Sequence, residues 1–496
     1  MPVRGYFPVI ALEDTQNGVT WAAELEHNGS WQMEMFRQKD NVVLTGGLAD
    51  YLTGHWKKTL SPGDSFTTPD AILTAVKGGI DDACDALLKA QEDSLTVVGE
   101  GEEELCPLYN EYCDTWNVPT VESVRAELNS IRDFPLRYFV IDAGWNGRAD
   151  IFCTCNNGDW QVNYDRFPNG MKEVADMIRA QDMVPGLWFE PEAVSTYSQY
   201  YARHKDEFPT LNGHPVIHTD RAFFDMSTDA ARAFMKENVI DFLKDNDFGY
   251  IKIDYNDHIG LGFDGYESAG EGNRRSAEGT YRFFEDMRRE IPELIIENCA
   301  AGGHRLEPGM MRRSSMASFS DAHECVDIPL IAADLQRLIL PRQSQIWAVI
   351  RKEDSLRRIV YSCVNTLLGR MCISGNVAQL TEDQHRTLGK GIEFYTHAAP
   401  VIKNGISRCY REGVTAYREP KGWQAVVRCN EKAALVVLNV FEVKEEPYTV
   451  ILEVPELKGR KILEYYAEGG CNIDLHDNVL RVTVNGGFSG VGILLS

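Results

Sequence analysis

Hydrophobic and polar positions follow three different patterns along the chain, and the first predicts a small β domain. Over residues 1 to about 80, short alternating runs such as YFPVIAL, TWAAELE, SWQMEMF and NVVLTGG stand between turn signals and predict antiparallel strands. A helical stretch at residues 79–91 follows, and the acidic, glycine-containing residues 92–104 are typical of a linker. We therefore expect an N-terminal β domain over residues 1–95.

The middle of the chain alternates apolar runs of strand length with amphipathic helical stretches, such as residues 121–134 and 230–245. Eight strands are predicted at residues 107–114, 137–145, 184–191, 250–256, 294–300, 316–322, 344–350 and 370–375. Eight β–α units in roughly 290 residues are typical of a (β/α)8 barrel, which we place at residues 105–400. A doubly wound sheet is the alternative. Polar residues at the carboxyl ends of many strands favour the barrel, because a barrel places its site there.

The helical pattern disappears in the last part of the chain. The runs WQAVVRC, AALVVLNVF, PYTVILEV, KILEYYA, VLRVTVN and VGILLS are separated by turn residues and predict an antiparallel β-sandwich over residues 405–496. The predicted fold is therefore of the α/β class, a TIM barrel between a short N-terminal β domain and a C-terminal antiparallel β-sandwich.

Composition and charge exclude several classes of function. With 44% hydrophobic and 25% charged residues, the chain has the composition of a globular protein. Its net charge is -24, and no run of Lys or Arg forms a basic segment within this acidic chain. We therefore expect no nucleic-acid partner and no binding to anionic membranes. No apolar stretch reaches the roughly 18 residues that a membrane span needs, and the first residues predict no signal peptide.

The 12 cysteines lie scattered in apolar runs, a pattern typical of reduced, buried thiols in the cytoplasm. Cys153 and Cys155 form the one close pair. No second Cys or His pair stands at zinc spacing, so no metal site is expected.

The strongest chemical signal is YIKIDYN at residues 250–256. In a strand, Lys252, Asp254 and Asn256 share one face, although both faces of a parallel barrel strand are normally apolar. Burying these groups costs roughly several kcal/mol unless they are paired or used. The pattern indicates either a structural Lys–Asp ion pair or a carboxylate kept ionised by the adjacent ammonium group, as a nucleophile requires.

Other predicted strand ends repeat this theme. An apolar strand also breaks into the small-residue loop of LIIENCAAGGHR, where a ligand could approach closely. A single Asp at such a place is often a helix cap, but several at one barrel mouth predict a site. The polar and aromatic residues at these ends are Glu111, Tyr112, Asp142, Trp145, Trp188, Glu190, Glu192 and Asp321.

Two carboxylates in a pocket rich in Trp and Asp are typical of glycoside hydrolysis, in which one attacks the anomeric carbon and the other protonates the leaving oxygen. Asp254 and Asp321 fall on predicted strands four and six. In an eight-stranded barrel this allows the separation of about 5–5.5 Å that the retaining route needs.

The chain resembles glycoside hydrolase family 36, the bacterial α-galactosidase and α-N-acetylgalactosaminidase family. The resemblance spans the chain in order, through Gly158-Asp159-Trp160, Phe167-Pro168-Asn169-Gly170, GLWFEPEAVS, KIDYN, Cys299-x-x-Gly302-x-x-Arg305 and Ser320-Asp321. It implies Asp254 as nucleophile and Asp321 as general acid/base. The substrate-binding residues that it suggests within these motifs and VIDAGWNG are Asp142, Trp188, Lys252, Asn256, Cys299, Gly302 and Arg305.

The resemblance implies a retaining exo-α-glycosidase that acts on an oligosaccharide or glycoconjugate, with no metal or organic cofactor, and that forms homo-oligomers through its N-terminal domain. Three features depart from the family pattern. Ala143 stands where a second Asp is usual, and His304 stands where Gly is usual, so His304 either contacts a 2-substituent or aglycone or is a surface histidine. Residues 1–80 correspond only to the last part of the family's β-supersandwich, so the chain is either a compact member or lacks its front.

Five other interpretations exist, and the residues disfavour the last two. Ala143 leaves an α-N-acetylgalactosaminidase or α-galactosaminidase as alternatives, and a transglycosylase would use the same glycosyl-enzyme intermediate. A non-catalytic sugar-binding protein is disfavoured, because a binder gains nothing from two unneutralised carboxylates. The Gly260–Gly265 segment fits G-x-G-x-x-G, but the dinucleotide fingerprint needs a helix at its last glycine. Here YESAGEGN follows and predicts a loop over the barrel mouth.

Overall fold

The computed structural model of the protein describes residues 3–95, 101–147, 156–323 and 326–496. Its N-terminal part holds a three-stranded antiparallel sheet, β1–β2–β5, and a separate hairpin, β3–β4. Helix Ile80–Asp93 packs Ala83 and Leu87 against Ala22 of the three-stranded sheet. The strands and the helix predicted for this region are therefore confirmed, with β1 at Val9–Asp14, β2 at Val19–Leu25, β3 at Trp31–Gln38, β4 at Asn41–Leu48 and β5 at Ala71–Lys77.

The next strands are β6 (Leu108–Asn110), β7 (Tyr138–Ile141) and β8 (Val184–Phe189), and all their residues but Val184 are buried. After β8 the chain leaves the barrel for an insertion at residues 193–223, in which β12 pairs with β13 and β13 with β9. These short strands escaped the sequence analysis because two or three residues carry no periodic signal. They are β9 (Ala193–Ser195), β10 (Thr210–Leu211), β11 (His214–Pro215), β12 (Ile217–His218) and β13 (Arg221–Phe223).

Five further strands complete a closed barrel of eight parallel strands in the order β14–β15–β16–β17–β18–β6–β7–β8. They are β14 (Tyr250–Ile253), β15 (Ile295–Asn298), β16 (Met316–Ser318), β17 (Ser344–Ile350) and β18 (Arg370–Gly375). The predicted (β/α)8 barrel is confirmed, and the doubly wound sheet is excluded. The longer helices of this region are Val121–Ile131, Met171–Arg179, Asp229–Met235, Ala269–Glu290, Ile328–Leu335, Leu356–Thr366 and Glu382–Asn404, and the shorter ones are Tyr112–Thr115, Gln199–His204, Asp241–Asp245, Ala300–Gly303 and Pro308–Met311. The N-terminal part holds one more short helix, Tyr51–Gly54.

Side chains of the barrel strands alternate between the barrel interior and the outer helical layer. On β14, Tyr250 packs inside with Tyr138 and Trp347, whereas Ile251 and Ile253 join the large core outside the barrel. The inside is therefore filled by packed side chains, and space for a ligand remains only where the strands end.

The C-terminal part consists of a five-stranded sheet, β19–β20–β21–β26–β23, and a three-stranded sheet, β22–β25–β24. Val436 and Ile493 of the first sheet share one core with Val450 and Val482 of the second, as in the predicted sandwich. Two strands, β19 and β24, were missed because their polar residues interrupt the apolar runs. The strands are β19 (Ile406–Glu412), β20 (Trp423–Cys429), β21 (Ala434–Val440), β22 (Tyr448–Glu453), β23 (Ile462–Ala467), β24 (Asn472–His476), β25 (Val479–Val484) and β26 (Ser489–Leu495).

The segment after the glycine motif differs from its predicted form. Helix Ala269–Glu290 begins inside YESAGEGN, with the Ser268 side chain accepting a hydrogen bond from the Glu271 backbone N–H. Gly270 allows the backbone at Gly54 to approach, since a Cβ there would lie 2.4 Å from the Gly54 oxygen. Gly270 therefore serves close packing against the N-terminal part of the chain, while Gly272 packs against the rings of Phe263 and Tyr266.

Among the described residues, no helix has both the length and the apolarity to cross a membrane. The boundaries of the three domains at residues 95, 105, 400 and 405 stay a prediction.

The amino-terminal side of the barrel contains a buried ion pair that we expect to matter for stability. The Arg370 guanidinium, 0% exposed, donates to both oxygens of Glu102 at 2.6 and 2.7 Å. Arg370→Met leaves this carboxylate buried without its partner, so the free energy of unfolding should fall by about 3–5 kcal/mol.

Thermal and urea unfolding of Arg370→Met measure this loss. Arg386→Ala is the matched control, because Arg386 forms an exposed pair with Asp383 and its removal should cost less than about 1 kcal/mol. Equal losses for both variants would contradict the assignment of Arg370 as a buried structural charge.

Candidate active site

The carboxyl ends of the barrel strands surround a pocket of about 440 Å³. It contains seven of the nine predicted site residues, while Gly302 and Arg305 are not part of its lining. The complete lining consists of Tyr112, Asn117, Asp142, Ala143, Trp188, Arg221, Lys252, Asp254, Asn256, Cys299, Asp321, His323 and Trp347.

Asp254 comes directly after β14, and four donors hold its carboxylate. Oδ1 accepts from the backbone N–H groups of Tyr255 and Ala301, both at 2.9 Å. Oδ2 accepts from Asn256 Nδ2 at 2.8 Å and from Trp188 Nε1 at 3.3 Å. These contacts fix the orientation of the carboxylate at the edge of the pocket.

The loop at residues 299–303, called here the Cys299 loop, reaches both acidic residues. Ala300, Ala301, Gly302 and Gly303 all have positive φ, at 52°, 53°, 69° and 100°. Side chains in this left-handed conformation cost roughly 1–2 kcal/mol per residue, so surrounding contacts must hold the loop. One such contact is the Ala301 N–H donated to Asp254.

Gly302 packs directly against Asp321. A Cβ on Gly302 would lie 2.3 Å from the Asp321 nitrogen and 2.8 Å from its Cγ. Any side chain at residue 302 would displace Asp321. Gly302, a predicted site residue, therefore contacts Asp321 and is not itself part of the pocket lining.

Asp321 follows β16 and lines the pocket. Loss of solvation within the pocket walls raises its pKa to about 6, and the charges of Asp254 and Asp142 add to this rise while Lys252 opposes it. Asp321 can therefore hold a proton at a pH where an ordinary carboxyl group is ionised.

Lys252 lies inside the barrel mouth, but its partner differs from the one expected. Its Nζ donates to Asp142 Oδ2 at 2.7 Å, and the same oxygen accepts from Asn110 Nδ2 at 2.7 Å. The predicted shared face of Lys252, Asp254 and Asn256 agrees with the pocket, which all three line, while the role of Lys252 in keeping Asp254 ionised stays a prediction. Burial opposes the charge of Lys252, yet Asp142 and other carboxylates hold its pKa well above the usual range.

Glu190 lies beneath the pocket and orders its wall. Its carboxylate accepts from the Asn256 backbone N–H at 2.7 Å and Asn157 Nδ2 at 2.8 Å, and it pairs with Arg221 Nε at 3.2 Å. Burial raises the pKa of Glu190 to about 7, while Arg221 opposes that rise. Glu190 therefore joins the residues after Asp254 to the insertion.

Arg305, which was predicted to bind substrate, lies outside the pocket. Its guanidinium donates to Glu192 at 2.5 and 3.1 Å and lies 3.6 Å over the Tyr255 ring. The preceding His304 is half-buried and does not line the pocket either. Ala143, by contrast, does line it.

Two predicted aromatic residues have different positions. Trp188 lines the pocket, whereas Trp145 is fully buried behind it and donates from Nε1 to the Trp188 carbonyl oxygen at 2.7 Å.

Glu111 is buried and accepts from the Asp142 backbone N–H at 2.9 Å, so it supports the site from below.

Sequence reasoning missed four residues of the lining, namely Asn117, Arg221, His323 and Trp347. The inward alternation of β17 could have indicated Trp347, but Arg221 depends on the pairing of the insertion strands. The Cys153 and Cys155 pair lies outside the described residues.

Comparison with known proteins agrees with the fold. The sequence model of the melibiase family matches residues 65–405, more than half of the chain. Alpha-galactosidase 2 of Pediococcus pentosaceus is 29% identical over 407 residues, covering 78% of this chain and 53% of that protein. Alpha-galactosidase 1 of the same organism is 27% identical over 460 residues, covering 87% of this chain and 60% of that protein.

Solved structures show the same fold. A variant of the GH36 α-galactosidase AgaA from Geobacillus stearothermophilus, in complex with 1-deoxygalactonojirimycin, superposes with a TM-score of 0.85 at 19% identity. The match covers 99% of this chain and 69% of that one. The chain spans about half the length of the curated relatives it matches. From the family match over residues 65–405, the chain belongs to the melibiase family, glycoside hydrolase family 36.

Proposed function

We propose that the protein is a retaining exo-α-glycosidase that hydrolyses terminal α-linked galactose. The observation that carries this proposal is the pair of unlike carboxyl groups at one pocket. Asp254 is held by four hydrogen-bond donors, and Asp321 has a pKa of about 6. A nucleophile and a proton donor require two carboxyl groups in two such environments.

In the proposed first step, an Asp254 oxygen attacks the anomeric carbon while Asp321 donates its proton to the glycosidic oxygen, so that the aglycone leaves as an alcohol. In the second step, ionised Asp321 removes a proton from water, and the resulting hydroxide attacks the same carbon and releases Asp254. The Cys299 loop supports this pairing, since Ala301 contacts Asp254 and Gly302 packs against Asp321.

The proposed sugar subsite is the part of the pocket lined by the Asp142–Lys252 pair, Trp188 and Trp347, in which Lys252 Nζ lies 5.0 Å from the centroid of the Trp347 ring. The ion pair offers a donor and an acceptor to sugar hydroxyl groups, and the rings offer apolar faces to the sugar. Cys299 lines the same pocket as a buried thiol.

Named relatives support galactose as the sugar and an oligosaccharide as the substrate. The curated relatives are α-galactosidases, and a second AgaA variant structure holds raffinose. We also propose a cytoplasmic location, which the nine free cysteines of the described residues support.

The first prediction concerns Asp254 as the nucleophile. Asp254→Ala should lower kcat on chromogenic α-galactoside by more than about a thousandfold, because the glycosyl-enzyme ester can no longer form. Asp245→Ala, which changes an exposed helix residue, is the control and should keep wild-type turnover. Assays with α-galactoside, α-N-acetylgalactosaminide, α-galactosaminide and α-glucoside identify the sugar.

Product stereochemistry tests the retaining route independently. Proton NMR of the wild-type reaction should show the α-anomer of the sugar first. Initial release of the β-anomer, or near-wild-type turnover by Asp254→Ala, would refute the mechanism.

The second prediction is a pH dependence set by Asp321. Because its pKa is raised to about 6, the group is protonated below that pH, and kcat/KM should fall as the pH rises above it. Asp321→Asn cannot lose a proton there, so its much lower activity should not show this decline. Profiles for both proteins between about pH 4 and 9 provide the measurement. A wild-type decline that persists unchanged in Asp321→Asn would assign it to another group.

The third prediction concerns sugar choice at Ala143, whose backbone N–H donates to Asp142 Oδ1 at 2.9 Å. Ala143→Asp adds a carboxylate to the pocket wall and should raise the kcat/KM ratio of α-galactoside to its C4 and 2-substituted analogues by about tenfold or more. Ala143→Asn is a control of similar size without the charge. An unchanged ratio in Ala143→Asp would place this residue outside the sugar subsite.

A further inference from the structure

A cluster of metal-binding side chains lies beside the pocket, outside its lining. His218 of β12, Asp257 and His258 form it, and they are called here the His218 cluster. One potential ligand atom from each residue lies within 4.8 Å of the other two. His218 Nδ1 contacts Asp257 Oδ1 directly, and the two imidazole rings are 5.1 Å apart.

Burial differs among the three residues in a way that suits an ion entering from solvent. Asp257 is 7% exposed, His258 is partly buried and His218 is exposed. The second oxygen of Asp257 accepts from Thr219 Oγ1 at 3.1 Å, which fixes the carboxylate in the way that outer hydrogen bonds orient metal ligands. His258 Nδ1 accepts a 3.2 Å bond from the Gly260 N–H, an exposed contact that a metal ion can replace.

The charges around the cluster are of both signs. The nearest guanidinium, Arg221, lies 4.0 Å from Asp257 Oδ2, but Glu190 and Asp220 also pair with it. Arg4 is a further cation near His258, and the chain as a whole carries a net charge of -24.

We propose that His218, Asp257 and His258 bind a divalent transition-metal ion of the zinc class, with water completing its coordination. Two imidazoles and one carboxylate are a frequent zinc ligand set, and the exposed His218 side chain has room to adjust toward an ion. Mg²⁺ and Ca²⁺ prefer all-oxygen sites, so this donor set disfavours them.

The ion would connect two parts of the chain that form the pocket wall. His218 precedes Arg221 in the insertion, and Asp257 follows Asp254 after β14. Because the cluster lies outside the pocket, the ion takes no part in bond cleavage, and the inference does not rest on the proposed function.

Co²⁺ titration of the full chain, freed of metal with a chelator, tests the proposal through visible absorption and calorimetry. We expect one Co²⁺ per chain, displaced by Zn²⁺ and not by Mg²⁺ or Ca²⁺. His218→Ala and Asp257→Asn should each weaken Co²⁺ binding by more than about tenfold. His214→Ala, which removes an exposed histidine from neighbouring β11, is the matched control and should bind as the wild type does.

Thermal unfolding shows whether each variant is folded, and exposed His218 makes His218→Ala the safer variant of the two. Absence of saturable Co²⁺ binding to the wild type would overturn the proposal, as would unchanged affinity in folded His218→Ala. An equal loss in His214→Ala would also overturn it, because binding would then not be specific to the cluster.

Discussion

The buried contact between Lys252 and Asp142 is the interaction on which the rest of the pocket depends. Both side chains are about 5% exposed or less and lie inside the mouth of a closed barrel, where neither charge is stable alone. The Lys252 ammonium group donates to Asp142, whereas Asp254 receives hydrogen bonds from the residues that follow it, from the Cys299 loop and from Trp188 of β8. Asp142, after β7, and Asp254, after β14, thereby have separate partners and separate chemical environments.

The conformation of the Cys299 loop is a second constraint on the pocket, because this loop donates a hydrogen bond to Asp254. Four consecutive residues in left-handed conformations are unfavourable alone, yet they allow one short turn to contact Asp254 through Ala301 and Asp321 through Gly302. Small side chains are required because Gly302 almost touches the Asp321 backbone. Backbone strain in this loop is thus compensated by the contacts that hold the two carboxyl groups in place.

The insertion at residues 193–223 shows how one loop can serve both the pocket and its surroundings. Arg221 on β13 reaches Glu190 and lines the pocket, while His218 on β12 lies against Asp257 outside it. The first contact attaches the insertion to the residue that follows β8, and the second attaches it to the residues that follow β14. An insertion with so little regular structure depends on such polar contacts for its position. The contacts of the His218 cluster therefore help to position the pocket wall.

Sequence alone determined the eight barrel strands, the alternation of β14 as far as Ile253 and the acidic residues at the strand ends, because these follow from local periodicity and burial. Tertiary structure decided which partners these groups acquire. Lys252 pairs with Asp142, Arg305 turns to Glu192, and Arg221 enters the pocket from a hairpin without a periodic signal. His218 and Asp257 lie 39 residues apart, so only closure of the barrel and folding of the insertion bring them into contact. Local pattern specifies elements, whereas pairing of buried charges depends on distances across the barrel that no local pattern contains.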